Sequence, residues 1–401
     1  MSATPLASRS ADRALTRAIL LMSLTAFASG ASLRVSDPLL PQVAADFHTS
    51  LGAASSIVTA YAVPYGLTQA FGGVIGDRLG KCQAVALACA LSCVLVLLCA
   101  AAQTLPQLAL ARFISAPGAA IIVPLGMAYV GDVVPYERRQ PVLARFLVGQ
   151  MLGMISGQIA GGIIGDHFGW RTVFVVLAGV FAFAALALAS QFRGNPWVKP
   201  VPHAGGVRPR LLASYRTMLS TPWPRFVLIA VFLDGAVFFG GFTYVAASLR
   251  ARFDLSFSTI GLIIAASSIG SMIYAGTVHR LVRAIGEHGL AIGGGLVGML
   301  GFLLLAGVPH WQTAPLACLL LGFGYYMVHN TLQTNATQML PEARAMALAG
   351  FSSGLFLGQS AGVALAALIV DHAGTVPVFA LMGVLWPVLG LWVWMNIKAR
   401  G

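Results

Sequence analysis

The chain has 401 residues, 58% of them hydrophobic and 9% charged. Soluble domains carry about 25% charged residues, so lipid is the solvent for most of this surface and a water-soluble enzyme is excluded. The net charge of +12 would suit nucleic acid, but the cations follow membrane topology instead.

Apolar runs near 17–42, 52–75, 84–103, 107–131, 143–165, 171–192, 224–249, 259–278, 288–308, 312–338, 346–370 and 375–396 predict twelve transmembrane helices, spans 1 to 12. A barrel would need short alternating segments. With the N-terminus inside, most Lys and Arg fall in inner segments. Arg171, Arg250 and Arg252 lie outside, and Arg34 and Arg112 sit within spans. That asymmetry predicts both termini cytoplasmic. Arg9, Arg13 and Arg17 before an apolar run ending in Ala28-Ser29-Gly30-Ala31 have the form of a signal peptide. Continuation of the helix to Pro41, and an even number of spans, argue against cleavage.

A charge in the bilayer core costs roughly 2.5–3.5 kcal/mol on insertion scales and so needs a reason. Span 1 holds Arg34 and Asp37, three apart and hence on one helix face. Asp37 lies ~30 Å from the inner start of its span, and Arg112 ~8 Å from the outer start of span 4. These three are expected to form one ionic cluster facing a cavity, with a purely structural Arg34–Asp37 pair as the alternative. Span 2 carries Tyr61, Tyr65 and Gln69 at helical spacing, which suits packing and substrate contact equally. After it comes a charged knot with Gly73, Asp77, Arg78, Gly80 and Lys81. Cys82, Cys89, Cys93 and Cys99 cluster around span 3 and Cys318 stands apart, reading as small apolar fillers. After span 4 the chain reads Asp132-Val-Val-Pro-Tyr-Glu137-Arg138-Arg139. Span 5 carries Gly153, Gly157, Gly161 and Gly162, a smooth stripe for close helix packing.

The chain repeats itself. Residues 146–174 match 351–379 at an offset of 205, through Phe146/Phe351, Gly149/Gly354, Gly153/Gly358, Gly157/Gly362, Asp166/Asp371 and Gly169/Gly374. Two parallel six-helix halves are therefore expected, at 1–192 and 223–401, joined by a polar cytoplasmic linker at 193–222. In the second half, Asp234 lies ~15 Å from the inner end of span 7, with no cation within a helical turn. Low dielectric favours the neutral form of such a lone carboxyl, while a neighbouring cation favours the charged form. Asp234 is therefore expected to carry the proton, with Asp37 and His329 as the other candidates. Asp37, beside Arg34, is expected to serve substrate or gate. Phe238, Phe239, Phe242 and Tyr244 follow as an aromatic wall, which beside an acid suits an amphipathic or cationic substrate. Span 10 adds His329, Asn330 and Gln333, with His329 at a depth similar to Asp234.

The knot at 73–81 resembles the loop between helices 2 and 3 of the major facilitator superfamily. The stripe of span 5 resembles that family's antiporter signature, with Gln158 where the signature has proline. Arg112 with Gly118-Ala119-Ala120 resembles its span-4 motif, with Ser115 and Ala116 in place of glutamine and glycine. Asp37-Pro38-Leu39-Leu40-Pro41 points toward the drug:proton antiporter and sugar-efflux branch. The resemblance implies an all-α membrane protein of twelve helices in two pseudo-symmetric bundles, monomeric, in the inner membrane. It implies alternating access, with inward proton flow driving export of a small molecule. Gly73, Asp77, Arg78, Gly80 and Lys81 would hold the cytoplasmic side shut with help from Glu137 and Arg138, and Arg112 would take part in proton coupling. Substrate contacts are expected from Arg34, Asp37, Tyr61, Tyr65, Gln69, Asp234, Phe238, His329, Asn330 and Gln333. No cofactor, metal or nucleic acid is expected, only protons as coupling ion and lipid as surroundings. The rival readings are a proton-coupled uptake symporter on the same fold and a membrane sensor or membrane-embedded enzyme. The second rival is weakened by short loops and scattered histidines.

Overall fold

The computed structural model describes residues 5–69, 79–198, 211–307, 310–340 and 343–399. Among these, every regular element is helical, and nine helices are long and apolar enough to cross a membrane. One of the nine, Phe257–Gly307, contains both span 8 and span 9, which meet at Gly286. Span 2 is described over Ser56–Gln69 and span 10 over Ala314–Ala336. Every expected span thus has a helix. The motif residues Gly73, Asp77 and Arg78 lie outside the described residues, as does 199–210 of the expected linker. The rest of that linker holds a short turn at Pro196–Val198 and a helix at Leu211–Ser220.

Span 1 is not the continuous helix expected. Pro38 has no N–H to give the carbonyl of Arg34 and its ring crowds that carbonyl. The helix Pro5–Arg34 ends there, and a 3-10 turn at Asp37–Leu39 leads into Leu40–Asp46. Span 7 breaks at the matching place, between Pro222–Phe242 and Val245–Phe253.

The repeat is also written in the backbone. Among the described residues, six have positive φ, and they form three pairs at offsets of 205 or 206: His48 with Asp254, Gly80 with Gly286, and Gly169 with Gly374. Each lies in a turn between spans. The glycines accept this conformation without a Cβ penalty, and His and Asp are among the side chains that tolerate it.

Glycine stripes set which spans pair. Gly149, Gly153, Gly157 and Gly161 of span 5 lie against the carbonyls of Ser23, Phe27, Ala31 and Val35 in span 1, so closely that a Cβ would overlap them. Gly358 and Gly362 of span 11 lie in the same way against Phe232 and Ala236 of span 7. The stripe therefore occurs in both halves and is a device for helix packing.

The halves meet along span 5 with span 8 and span 2 with span 11. At the end of the molecule that holds the 48 and 254 turns, here the distal end, two aspartates pin them. Asp166, ending span 5, accepts from the backbone N–H groups of Phe257 and Ser258, each at 3.3 Å, and from Ser258 Oγ at 2.7 Å. Its repeat mate Asp371 accepts from the Gly52 N–H and from Ser50 Oγ, both at 2.8 Å. Each carboxylate thus caps the first turn of a helix in the other half, where free N–H groups favour negative charge.

Candidate substrate cavity

Between the halves, on the side of the distal pins nearer the termini, lies a cavity of about 840 Å³ including its mouth. Spans 1, 5, 7, 8, 10 and 11 line it. Its walls are largely aromatic, with Phe238, Phe239, Phe242, Tyr325, Tyr326 and Phe356. Polar groups enter from Arg34, Gln150, Gln158, Ser267, Ser268, Ser271 and His329. An apolar, aromatic-rich lining with a few converging polar groups is that of a small-molecule site.

Arg34 stands one residue short of the break in span 1. Its guanidinium lies 4.3 Å from the centre of the Phe239 ring. Nη1 is 3.9 Å from Asp37 Oδ2, an ion pair too long to be a hydrogen bond. Asp37 does not line the cavity. The nearer polar contact to its carboxylate comes from Gln158 Nε2 at 3.2 Å, and Gln158 Oε1 in turn accepts from Ser268 Oγ at 3.1 Å. Gln158 is 1% exposed and thereby joins spans 1, 5 and 8. Sequence reasoning passed it over as a missing proline.

The three-residue cluster expected from Arg34, Asp37 and Arg112 does not face the cavity as a unit. Arg112 is 1% exposed. Its guanidinium lies 3.7 Å from the centre of the Tyr61 ring and reaches the Ser32 carbonyl at 3.4 Å. The ring supplies a negative face that a desolvated cation otherwise lacks, so Arg112 is held inside the first half.

Asp234 is not alone. It is wholly buried, and its Oδ2 lies 2.8 Å from Nδ1 of His329. Its Oδ1 is buried without a partner among the described residues. His329 lines the cavity and stacks on Tyr325, its neighbour one turn earlier, with ring centres 5.0 Å apart. The pair joins spans 7 and 10, and depth in the two spans was the one signal for it in the sequence.

The other expected contacts fall in several places. Phe238 lines the cavity. Tyr61 and Tyr65 are buried behind it, with their hydroxyls 2.9 Å from Ser32 Oγ and 3.4 Å from Ser29 Oγ. Asn330 donates to the Tyr274 hydroxyl at 3.0 Å and so ties span 10 to span 8. Gln69 is half-buried and Gln333 exposed, and neither lines the cavity. Of the loop motif, Gly80 takes φ 84° at the start of span 3, and Lys81 pairs with Asp132 after span 4. Arg138 is exposed, and the Glu137 side chain lies outside the described residues. Cys82, Cys89, Cys99 and Cys318 are buried and Cys93 half-buried.

The family model described as "Major Facilitator Superfamily" matches residues 22–345. The chain belongs to the major facilitator superfamily. Among its relatives is the "Putative uncharacterized transporter YgaY" of Escherichia coli strain K12, 28% identical over 94% of each chain. Another is the "Uncharacterized MFS-type transporter YceJ" of Bacillus subtilis strain 168, 24% identical over 88% of this chain and 90% of its own. A crystal structure of a mutant of the peptide transporter POT superposes with a TM-score of 0.76 at 15% identity, covering 95% of this chain and 94% of that one. At that identity the likeness is one of fold. This major facilitator protein is a multi-pass membrane transporter of small molecules, not an enzyme.

Proposed function

We propose that the chain is a proton-coupled secondary transporter working by alternating access around the central cavity, with His329 and Asp234 as its proton site. The observation that carries this is a titratable residue lining the cavity and hydrogen-bonded to a carboxyl that nothing else among the described residues reaches. A proton arriving from cavity water meets His329 first and Asp234 through it. Change of charge at this pair alters what the cavity holds and which packing of the two halves is favoured. The distribution of Lys and Arg supports cytoplasmic termini, which puts the cavity on the cytoplasmic side of the distal pins; an inner-membrane location rests on the family resemblance. The Lys81–Asp132 pair supports a cytoplasmic gate built from the loop motif and the loop after span 4.

For direction, the sequence motifs favour export of a drug-like or sugar-like compound in exchange for protons. The glycine stripe lends this no weight, because its copy in span 11 packs in the same way. Uptake with protons is the second reading, favoured by the charge that the cavity presents. That charge is Arg34, and neither Asp37 nor Asp234 lines the cavity.

The test is proton exchange by detergent-solubilised protein as candidate substrates are titrated in, beside Asp234→Asn. Proton release or uptake on binding in the wild type, lost in the mutant, is the expected outcome. Exchange that survives the mutation, or none with a bound substrate, sinks the assignment. Release marks competition and hence antiport, whereas uptake marks joint loading and hence symport.

A further inference from the structure

We propose that the cavity takes an organic monoanion, a carboxylate on an apolar or aromatic body, with Arg34 as its anchor; this rests on reading the cavity as the transport site. The guanidinium carries five N–H donors in a fixed fork. Among the described residues none of the five makes a hydrogen bond, and the one ion-pair contact, to Asp37, stands at 3.9 Å. Other polar groups of the lining already have partners in the fold: Gln158 with Asp37 and Ser268, Ser271 with the carbonyls of Ser267 and Gly322, and His329 with Asp234. Arg34 has its long ion pair with Asp37 and its ring contact with Phe239, and no hydrogen bond among the described residues. A carboxylate is the group that fits such a fork in two parallel hydrogen bonds.

Charge points the same way. The lining contains no carboxylate among the described residues. Asp37 lies behind Arg34 and its side chain is 7% exposed, while that of Asp234 is 0% exposed. In the first half two cations, the half-buried Arg34 and the buried Arg112, face one buried anion, Asp37, which leaves one surplus positive charge. A bound monoanion cancels it, and a cation would double it in a medium where like charges repel strongly. The aromatic wall then takes the apolar body, with Phe239 already 4.3 Å from the guanidinium carbon. This reverses the sign expected from an aspartate beside aromatics, because that aspartate faces histidine and not the cavity.

The experiment compares three probes of one shape on the purified full chain at neutral pH: 4-phenylbutyrate, its primary amide, and 4-phenylbutylamine, each by isothermal titration. The carboxylate should bind at least about tenfold more tightly than the amide, with the amine weakest. Arg34→Lys should keep this order, and Arg34→Gln should erase the gap between carboxylate and amide. Equal or tighter binding of amide or amine overturns the proposal, as does failure of all three to bind, or a gap that survives Arg34→Gln. The comparison on unaltered protein needs no mutant, so a misfolded variant leaves it decisive. Exchange of labelled carboxylate across proteoliposomes separates the two claims. Binding without exchange sinks the transport reading and keeps the anion site. Exchange of the amine alone keeps transport and sinks the anion.

Discussion

Gln158 shows how one side chain can hold a gate together. Both ends of its amide are used, one on Asp37 and one on Ser268, so it links the two halves at the floor of the cavity. Hydrogen bonds to a charged group are worth about 1.5–3 kcal/mol, and a buried partner left unpaired loses more than that. Gln158→Leu should therefore lower the melting temperature of the solubilised protein and slow transport. Gln158→Glu, which sets a second carboxylate beside Asp37, should be worse than leucine in both assays. A glutamate variant as stable as wild type would mean that Asp37 does not depend on this contact. The His329–Asp234 pair belongs to the same scale. Its two members come from spans 95 residues apart in sequence, so no local pattern joins them. What the sequence offered was an expensive charge in span 7 and a histidine at a similar depth in span 10.

At the scale of the helix, the paired stripes carry a stability prediction. Gly153 and Gly157 meet the backbone of span 1, and Gly358 and Gly362 that of span 7. A leucine at any of these must push two helices apart, and overpacking of this kind costs typically 1–3 kcal/mol or more. Gly157→Leu and Gly358→Leu should both sharply reduce the yield of monodisperse protein in size-exclusion chromatography. Gly179→Leu, at a position where a Cβ would meet nothing within 4 Å, should leave it unchanged. A Gly358→Leu variant as well behaved as wild type would break the parallel between the halves. The stripes were legible as stripes, because glycine at every fourth residue has one steric meaning. The breaks in spans 1 and 7 were less so. Pro38 explains the first, whereas the second has no proline and shows only in the backbone.

For the whole molecule, Asp166 and Asp371 are the matching pins. Each bonds the first turn of a helix from the other half, so opening the distal end must break both sets. The double variant Asp166→Ala, Asp371→Ala should shift the population toward a distally open form, with either single change doing part of it. Spin labels at the distal ends of spans 5 and 8 would report this as a longer distance in pulsed electron resonance. Distances unchanged in the double variant would mean that the pins carry no weight in the equilibrium. A two-state balance responds only to differences between the states. These contacts join the halves at one end, and are of the kind that distinguishes such states.

Composition and periodicity alone determined the solvent, the helix class, the positions of the spans and the duplication. Each of these is a one-dimensional property: how apolar a run is, how long, and whether it recurs. The aspartates at 166 and 371 were visible as a matched pair without a role, and of the four deep charges only Arg34 and Asp37 had a pairing that spacing alone gave, which the structure keeps at 3.9 Å. Tertiary structure decided the partners. It sent Asp234 to His329, Arg112 to Tyr61 and Asp37 to Gln158, and left Arg34 facing the cavity. The physical reason is that a buried charge is fixed by whatever dipole, ring or countercharge lies within a few ångströms, and distance in space is what a linear sequence does not carry.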